Sequence, residues 1–196
     1  MPEGKLGIAV GDVSGKGIGA ALLMASLEAS LRGQALVAHD LADLMNRVND
    51  LVLEASSANR YASLFYAEYD ARNHLLSYVN AGHNAPVILR KSDTGCEVFR
   101  LESGGPVIGL IRARYQRDSF VLEPGDMMVL FTDGVSESMN SREEDWGEER
   151  LIEFAKACHG LPALEAMTRI LAAAEAFAGG APQHDDMTLV LLRMLD

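Results

Sequence analysis

The sequence of 196 residues is long enough for one globular domain with its own core, and no break in composition separates two domains. Hydrophobic residues make up 48% of the chain and charged residues 23%, which excludes a disordered or fibrous chain. The formal charge of −11 repels polyanions, and no basic patch is visible, so we expect no nucleic-acid partner.

Targeting signals and disulfides are not expected either. No run approaches the roughly 18 apolar residues of a membrane span, and the N-terminus lacks a signal-peptide pattern, so we predict a cytoplasmic protein without membrane attachment. Cys96 and Cys158 are too few for a disulfide framework and lack the paired spacing of a zinc site. We interpret both as reduced packing residues.

The N-terminal part predicts one strand and two helices. The apolar run "LGIAV" is a strand that leads to Asp12, and helical spacing then begins at Ile18 and fades near Gln34. The apolar positions that keep this spacing are Leu22, Ala25 and Ala29. A second helix follows, with Asp40 as its N-cap. Its apolar positions are Leu41, Leu44, Val48 and Leu51.

The middle of the chain predicts an antiparallel succession of strands. "ASLFYAEYD" and "HLLSYVN" are separated by "ARN", which is typical of a hairpin. Further strands are predicted at "PVILRK", "CEVFRL", "YQRDSFVL" and "DMMVLF", and the turn signals between them are "SDTG", "SGGP" and "EPGD". The pattern is not the alternation of strands and helices that a parallel sheet requires.

The C-terminal part predicts two more helices and a last strand. The helices cover Leu151 to His159 and Ala163 to Phe177, and "MTLVLLRML" is expected to be a buried strand. The second helix is expected to bury Leu164, Met167, Leu171 and Ala174. Because strands that are apolar on both faces need cover on each side, we predict an α+β fold of two packed antiparallel sheets flanked by helices.

The segment "GDVSGKG" invites interpretation as a phosphate-binding loop of a nucleotide switch. Such a loop requires Gly, four residues, and then Gly-Lys-Ser/Thr. Val10 stands where the first Gly belongs, and Gly17 replaces the hydroxyl residue that would hold magnesium. The nucleotide-switch interpretation is therefore disfavoured.

Acidic residues follow or precede apolar strands at three places in the sequence. Asp12 lies in "GIAVGDVSGKG", Asp133 in "MMVLFTDGVSE", and Asp185 and Asp186 in "QHDDMTLVLL". If these strand ends converge, their like charges repel unless a cation lies between them. Carboxylate clusters of this kind suit Mg²⁺ or Mn²⁺.

Six segments occur in an order that resembles a known family. They are "GDVSGKGIGAALLMA", "RYASLFYAEYD", "YVNAGHNAPVIL", "GGPVIGL", "LEPGDMMVLFTDGVSES" and "HDDMTLVLLR". Together they are similar to the bacterial metal-dependent serine/threonine phosphatases of the PPM class, in the branch of stage II sporulation protein E and the Rsb phosphatases. The resemblance implies a β-sandwich flanked by helices, with two metal ions at one end.

The resemblance also implies roles for particular residues. Asp12 would bridge two Mn²⁺ or Mg²⁺ ions, and the carbonyl of Val13 would complete one of the two sites. Asp133 and Asp185 would hold the other ion, with Asp186 as a further candidate ligand. Asp12, Asp133 and Asp185 are thus the predicted catalytic set for hydrolysis of phosphoserine or phosphothreonine by metal-activated water.

The sequence departs from the family at its start. Members usually begin with a strand bearing a "GGDYYD"-like motif, whose Asp contributes to the metal site, and this chain has no such segment. We therefore expect residues 1–196 to be a single phosphatase domain, lacking the family's first strand, from the C-terminal part of a longer signalling protein with an upstream sensor or receiver domain. An exposed sheet edge would then favour a homodimer. The implied substrate is a phosphorylated anti-sigma-factor antagonist.

An alternative function is a phosphatase-like module that binds a partner with little or no hydrolysis. The absent N-terminal Asp favours this alternative, whereas the three retained acids favour an enzyme. His83 in "AGHN" is interpreted as a structural residue of a tight turn, and His184 as a neighbour of the site or a solvent-exposed residue. Lys16 is either a contact of the substrate phosphate or a surface charge.

Overall fold

The computed structural model describes residues 4–55, 60–93, 95–102, 104–183 and 185–195. Within these ranges the predicted strands and helices occur in the predicted order, and the short helix Asp133–Ser136 is an element that was not predicted. The elements are β1 Lys5–Val13, α1 Ile18–Ala35, α2 Leu41–Ala55, β2 Ala62–Asp70, β3 Leu75–Ala81, β4 Val87–Ser92, β5 Gly95–Arg100, β6 Asp118–Val121, β7 Met127–Phe131, α3 Asp133–Ser136, α4 Glu148–Ala157, α5 Ala163–Ala178 and β8 Leu189–Arg193.

The chain divides into two compact units. Unit 1 comprises Met1–His83 and Glu102–Leu122, and unit 2 comprises Asn84–Leu101 and Glu123–Asp196. Each unit contains one four-stranded antiparallel sheet, ordered β1-β2-β3-β6 in unit 1 and β5-β4-β7-β8 in unit 2. Two antiparallel sheets with accompanying helices agree with the predicted α+β class.

Unit 1 has a core between its sheet and the helices α1 and α2. Leu27 of α1 and Val48 of α2 are buried in the same cluster as Leu64 and Tyr66 of β2. The predicted N-cap of α2 is confirmed, because Asp40 Oδ2 accepts hydrogen bonds from the backbone N–H of Ala42 at 2.9 Å and Asp43 at 3.2 Å.

The apolar positions that indicated α1 in the sequence are not the ones that the helix buries. The residues that α1 buries are Leu23, Leu27 and Leu31, whereas Leu22 remains 64% exposed. Because α1 is apolar on several sides, helical spacing selects a stripe but does not say which of two adjacent stripes meets the sheet. The packing against β2 and α2 makes that choice.

Unit 2 has its own core, formed by β4, β7 and the helices α4 and α5. Val129 and Phe131 of β7 are fully buried in one cluster with Leu151 of α4 and Ile170 of α5. The helix α5 buries Ala166, Ile170 and Ala174, so the prediction for Ala174 is confirmed and that for Leu164, which is 71% exposed, is wrong. The last strand, β8, is half-buried along its whole length rather than buried.

No helix in the described ranges combines the length and the apolar character that a membrane span requires.

Candidate metal centre

Asp12 and Val13 lie at the end of the edge strand β1. Asp12 is paired with Ser63 of β2 and Val13 with Ala62. The pairing continues past the strand, because Ser14 N–H donates to Tyr61 O at 2.9 Å and Tyr61 N–H donates to Ser14 Oγ at 3.0 Å. These bonds hold the Asp12 backbone against β2.

The chain turns away immediately after this strand end. Gly15 and Gly17 have φ values of 84° and 86°, in the left-handed region that favours glycine. They let the backbone leave the sheet and enter α1 at Ile18. The two glycines thus serve a sharp turn of the backbone, and Lys16 between them is exposed.

Thr132 connects the segment of Asp133 to the segment of Asp185 and Asp186, the two places in unit 2 where metal ligands are predicted. Its N–H donates to Thr188 O at 3.0 Å, and its Oγ1 accepts from Thr188 N–H at 3.0 Å. The same hydroxyl donates to Asp186 O at 3.1 Å. Because Thr132 is buried, this set of bonds fixes Asp133, its neighbour, against the segment that carries Asp185 and Asp186.

Gly134 permits a close approach of the same two segments. A Cβ atom on Gly134 would lie 2.3 Å from Asp186 O and 3.2 Å from the carbonyl carbon of Asp185. No side chain fits in that space. The glycine of "TDG" is therefore required by the passage of the 185–186 backbone, and this contact between distant parts of the sequence was not predicted.

The acids of unit 2 influence one another electrostatically. Burial raises the pKa of Glu137, and the nearby charges of Asp133, Asp145 and Asp185 raise it further. Asp133 is half-buried, and its Oδ1 accepts from Gly134 N–H at 2.8 Å. Asp185 is exposed, and its Oδ1 accepts from Asp186 N–H at 2.9 Å.

A cavity of about 230 Å³ adjoins these acids. Glu137 and Asp185 line it together with Glu175 from the last turn of α5. Its other walls come from the start of α3 and from the connection between α5 and β8. Glu137 and Glu175 were not singled out from the sequence, because neither follows a strand in the pattern that identified the aspartates.

The structure brings Asp133, Asp185 and Asp186 together within unit 2, while Asp12 and Val13 belong to unit 1. Within the described ranges, no group of three or more His, Cys, Asp or Glu side chains is arranged to hold a metal ion. The convergence of Asp12 with Asp133 and Asp185 stays a prediction. The carboxylates of unit 2 repel one another and offer oxygen atoms as ligands. They therefore fit a hard divalent cation, since Mg²⁺ and Mn²⁺ prefer oxygen ligands.

His83 closes the tight turn that was predicted for it. Asn80 Oδ1 accepts from His83 N–H at 2.8 Å, and Asn80 Nδ2 donates to His83 O at 3.0 Å. The imidazole also has a partner that the sequence did not indicate, because His83 Nδ1 lies 2.8 Å from Ser63 Oγ. His184 lies outside the described residues.

The cysteines are free in the structure. Cys158 is buried in the core of unit 2, and Cys96 is half-buried and packs against the same core. Burial raises the pKa of both thiols. Their environments are those of packing residues, not of activated thiolates.

Solved structures similar to this chain define its fold class. The SiaA-PP2C domain of Pseudomonas aeruginosa aligns with a TM-score of 0.81 and 20% identity over 97% of this chain and 80% of that one. The RsbU and RsbW domains of Rv1364c from Mycobacterium tuberculosis align with a TM-score of 0.79 and 22% identity over 98% of this chain and 54% of that one. The serine/threonine protein phosphatase PstP, solved with two manganese ions, aligns with a TM-score of 0.65 and 16% identity over 98% of this chain and 88% of that one. The fold is that of the PP2C phosphatases, as predicted.

Sequence comparison gives the family. The family profile of Stage II sporulation protein E (SpoIIE) matches residues 2–195, and the chain belongs to this family. Phosphoserine phosphatase RsbU of Bacillus subtilis is 30% identical over 191 residues, which are 96% of this chain and 55% of RsbU. Protein IcfG of Synechocystis sp. is 30% identical over 217 residues, covering 94% of this chain and 33% of IcfG. The chain thus spans between a third and about half of these relatives.

Proposed function

We propose that this chain is a metal-dependent protein phosphatase that hydrolyses phosphoserine or phosphothreonine on a regulatory protein. Membership of the SpoIIE family supports the reaction class, and the relative RsbU is itself named a phosphoserine phosphatase. The structural observation that carries the proposal is the attachment of the Asp133 segment to the Asp185 segment through Thr132 and Gly134. Two predicted ligands, 52 positions apart in the sequence, are thereby held in one part of unit 2.

The residues that would hold the ions are Asp12, Val13 through its carbonyl, Asp133 and Asp185, with Asp186 as a further ligand. When bound, divalent cations stabilise the charge of a phosphoryl group and acidify water, which is the chemistry that this reaction requires. The pairing of Ser14 with Tyr61 orients the backbone beside Asp12. The bonds of Thr132 orient the backbone beside Asp133 and Asp186.

We further propose that the substrate is a phosphorylated anti-sigma-factor antagonist and that a sensor or receiver domain precedes residues 1–196 in a longer cytoplasmic chain. The resemblance stated above supports the substrate, and the partial coverage of the relatives supports a longer chain. Phosphoserine phosphatase RsbP of Bacillus subtilis, 29% identical over 69% of this chain and 34% of RsbP, supports phosphoserine as the hydrolysed residue.

The edge strand β1 supports a homodimer. In the sheet order β1-β2-β3-β6, β1 pairs with β2 on one side, and its Leu6 is 53% exposed. An edge of this kind can pair with a second copy through backbone hydrogen bonds. Light scattering coupled to size exclusion tests this proposal, and a monomeric mass at high concentration would contradict it.

Metal-dependent turnover tests the proposed function directly. We expect the 196-residue chain to hydrolyse p-nitrophenyl phosphate and a phosphoserine peptide with Mn²⁺ or Mg²⁺, and to lose this activity with a chelator. Asp12→Asn and Asp133→Asn should reduce turnover to the background rate, because each removes a proposed ligand charge. Asp93→Asn, the same change at an exposed site between β4 and β5, should have no effect.

Two results would overturn the proposal. Equal rates with and without metal would exclude metal-dependent hydrolysis, and retained turnover in Asp12→Asn would exclude the assigned ligand. Tight Mn²⁺ binding with no turnover on any phosphorylated substrate would instead favour the phosphatase-like binding module.

A further inference from the structure

A buried histidine that contacts β2, the strand paired with the Asp12 strand, has no role in the function proposed above. His83 follows β3, is 5% exposed and lies in unit 1 with β1 and β2. Its Nδ1 lies 2.8 Å from Ser63 Oγ, so the imidazole and the hydroxyl share a hydrogen bond. Burying an imidazole is unfavourable unless its polar atoms are satisfied, and Ser63 satisfies one of them.

The backbone of His83 is held by hydrogen bonds with Asn80 and by close packing at Gly82, and this fixes the position of the imidazole. The fully buried Asn80 accepts from His83 N–H and donates to His83 O, while Asn80 O itself accepts from Gly104 N–H at 2.8 Å. Gly82 adopts a φ of 67°, and a Cβ there would lie 2.7 Å from Val107 Cγ1. His83 is therefore presented to Ser63 by a rigid turn.

Ser63 in turn faces the predicted metal ligand. In the antiparallel register of β1 and β2, Ser63 is the residue directly opposite Asp12. Directly opposed residues project to the same face of a sheet with Cβ atoms about 4.5–5.5 Å apart. The hydroxyl that His83 engages thus belongs to the cross-strand neighbour of Asp12.

We propose that Ser63 and His83 are positioning residues for Asp12: the imidazole fixes the Ser63 hydroxyl, and this hydroxyl fixes the carboxylate of Asp12 in the orientation that binds the divalent cation. The inference rests on the proposed function, since it presumes that Asp12 is a ligand. This role requires no contact of either residue with the substrate. Their effect is on the affinity for metal, because polar groups that orient a ligand alter metal affinity about 10- to 100-fold.

A pair of nearly isosteric variants tests the hydroxyl. Ser63→Thr keeps the hydroxyl and Ser63→Val removes it, and both are β-branched residues that suit a strand. We expect Ser63→Val to weaken Mn²⁺ binding about 10- to 100-fold in calorimetric titration, and Ser63→Thr to bind within about threefold of the wild-type chain. Turnover at saturating Mn²⁺ should recover in both.

The histidine is tested in the same way. His83→Leu removes the hydrogen-bonding ring, whereas His83→Asn keeps a polar atom near the place of Nδ1, so only His83→Leu should weaken Mn²⁺ binding about 10- to 100-fold. Because the two residues act as one unit, Ser63→Val combined with His83→Leu should be no weaker than either alone. Equal Mn²⁺ affinity of Ser63→Thr and Ser63→Val, or additive losses in the double variant, would overturn the inference.

A matched control lies at the opposite end of β2, the strand that carries Ser63. Tyr69 Oη lies 3.0 Å from His74 Nδ1, a hydrogen bond of the same kind that is remote from Asp12 in the register of β1 and β2. Tyr69→Phe, which removes this hydrogen bond as Ser63→Val removes the other, should leave Mn²⁺ affinity unchanged. If the wild-type chain neither binds Mn²⁺ nor turns over substrate, the proposed function fails; if it does both and the Ser63 pair is identical, the positioning role alone fails.

Discussion

Single glycines decide local geometry in this protein. Gly134 lies where the backbone of residues 185–186 crosses the start of α3, and even one methyl group there would overlap Asp186 O. The crossing segments carry Asp133 and Asp185, two ligands proposed in unit 2. The position is therefore sensitive to the smallest possible change of side chain.

Gly134→Ala should damage both stability and metal binding. We expect a loss of about 1–3 kcal/mol in the free energy of unfolding, since the added methyl forces the backbone of 185–186 to move. We also expect Mn²⁺ affinity to fall about 10- to 100-fold as the two segments separate. Urea denaturation and calorimetric titration measure the two effects.

Gly33→Ala is the control for this change. Gly33 is an exposed residue within α1, and a Cβ there would meet no atom within 4 Å. Alanine should stabilise that helix by about 0.5–1 kcal/mol without altering Mn²⁺ affinity. If Gly134→Ala behaved like Gly33→Ala, the close approach would have no energetic importance.

At the scale of elements, the two faces of α1 have different consequences for stability. Its sequence is apolar on several sides, yet only the stripe of Leu23, Leu27 and Leu31 joins the core of unit 1. The neighbouring stripe stays in contact with solvent, with Leu22 and Ile18 among its most exposed members. Burial, not hydrophobicity, determines what each leucine contributes.

Leu27→Ala and Leu22→Ala should therefore differ, although the chemical change is identical. Leu27 is 2% exposed, so we expect its truncation to lower the free energy of unfolding by about 2–5 kcal/mol. Leu22→Ala should change it by less than about 0.5 kcal/mol. Urea denaturation compares the two variants, and equal losses would show that the assigned buried face is wrong.

At the scale of the whole molecule, alkaline pH should reduce stability through tyrosine ionisation. Burial raises the pKa of Tyr78 to about 12, with the charge of Asp118 adding to the effect. Burial likewise raises the pKa of Tyr66 and Tyr115 above its ordinary value, with contributions from Glu68 and Asp50 respectively. All three phenols belong to unit 1.

The sign follows from proton linkage. A phenol whose pKa is higher in the folded chain than its value of about 10 in the unfolded chain contributes stability fully below pH 10, and this contribution is lost as the pH rises towards 12. We expect the free energy of unfolding to fall steadily from about pH 9.5 to about pH 11.5, because this range lies between the unfolded and folded pKa values of Tyr78. Tyr78→Phe should make this fall shallower, and an unchanged slope in chemical denaturation would contradict the role of Tyr78.

By itself, the sequence determined the order and type of nearly all the elements, the N-cap at Asp40 and the family. These features depend on local signals, such as helical spacing, alternation, turn residues and short motifs, which are present within a few positions of one another. The same signals identified Asp12, Asp133 and Asp185 as candidate ligands, because each lies beside an apolar strand.

Only the tertiary structure decided which face of α1 is buried, why Gly134 is a glycine, and that His83 shares a hydrogen bond with Ser63. Each of these features is a contact between segments that are distant in the sequence, and the residues of either segment alone do not indicate it. The physical reason is that packing selects among stripes and turns that local preference leaves nearly equal in free energy.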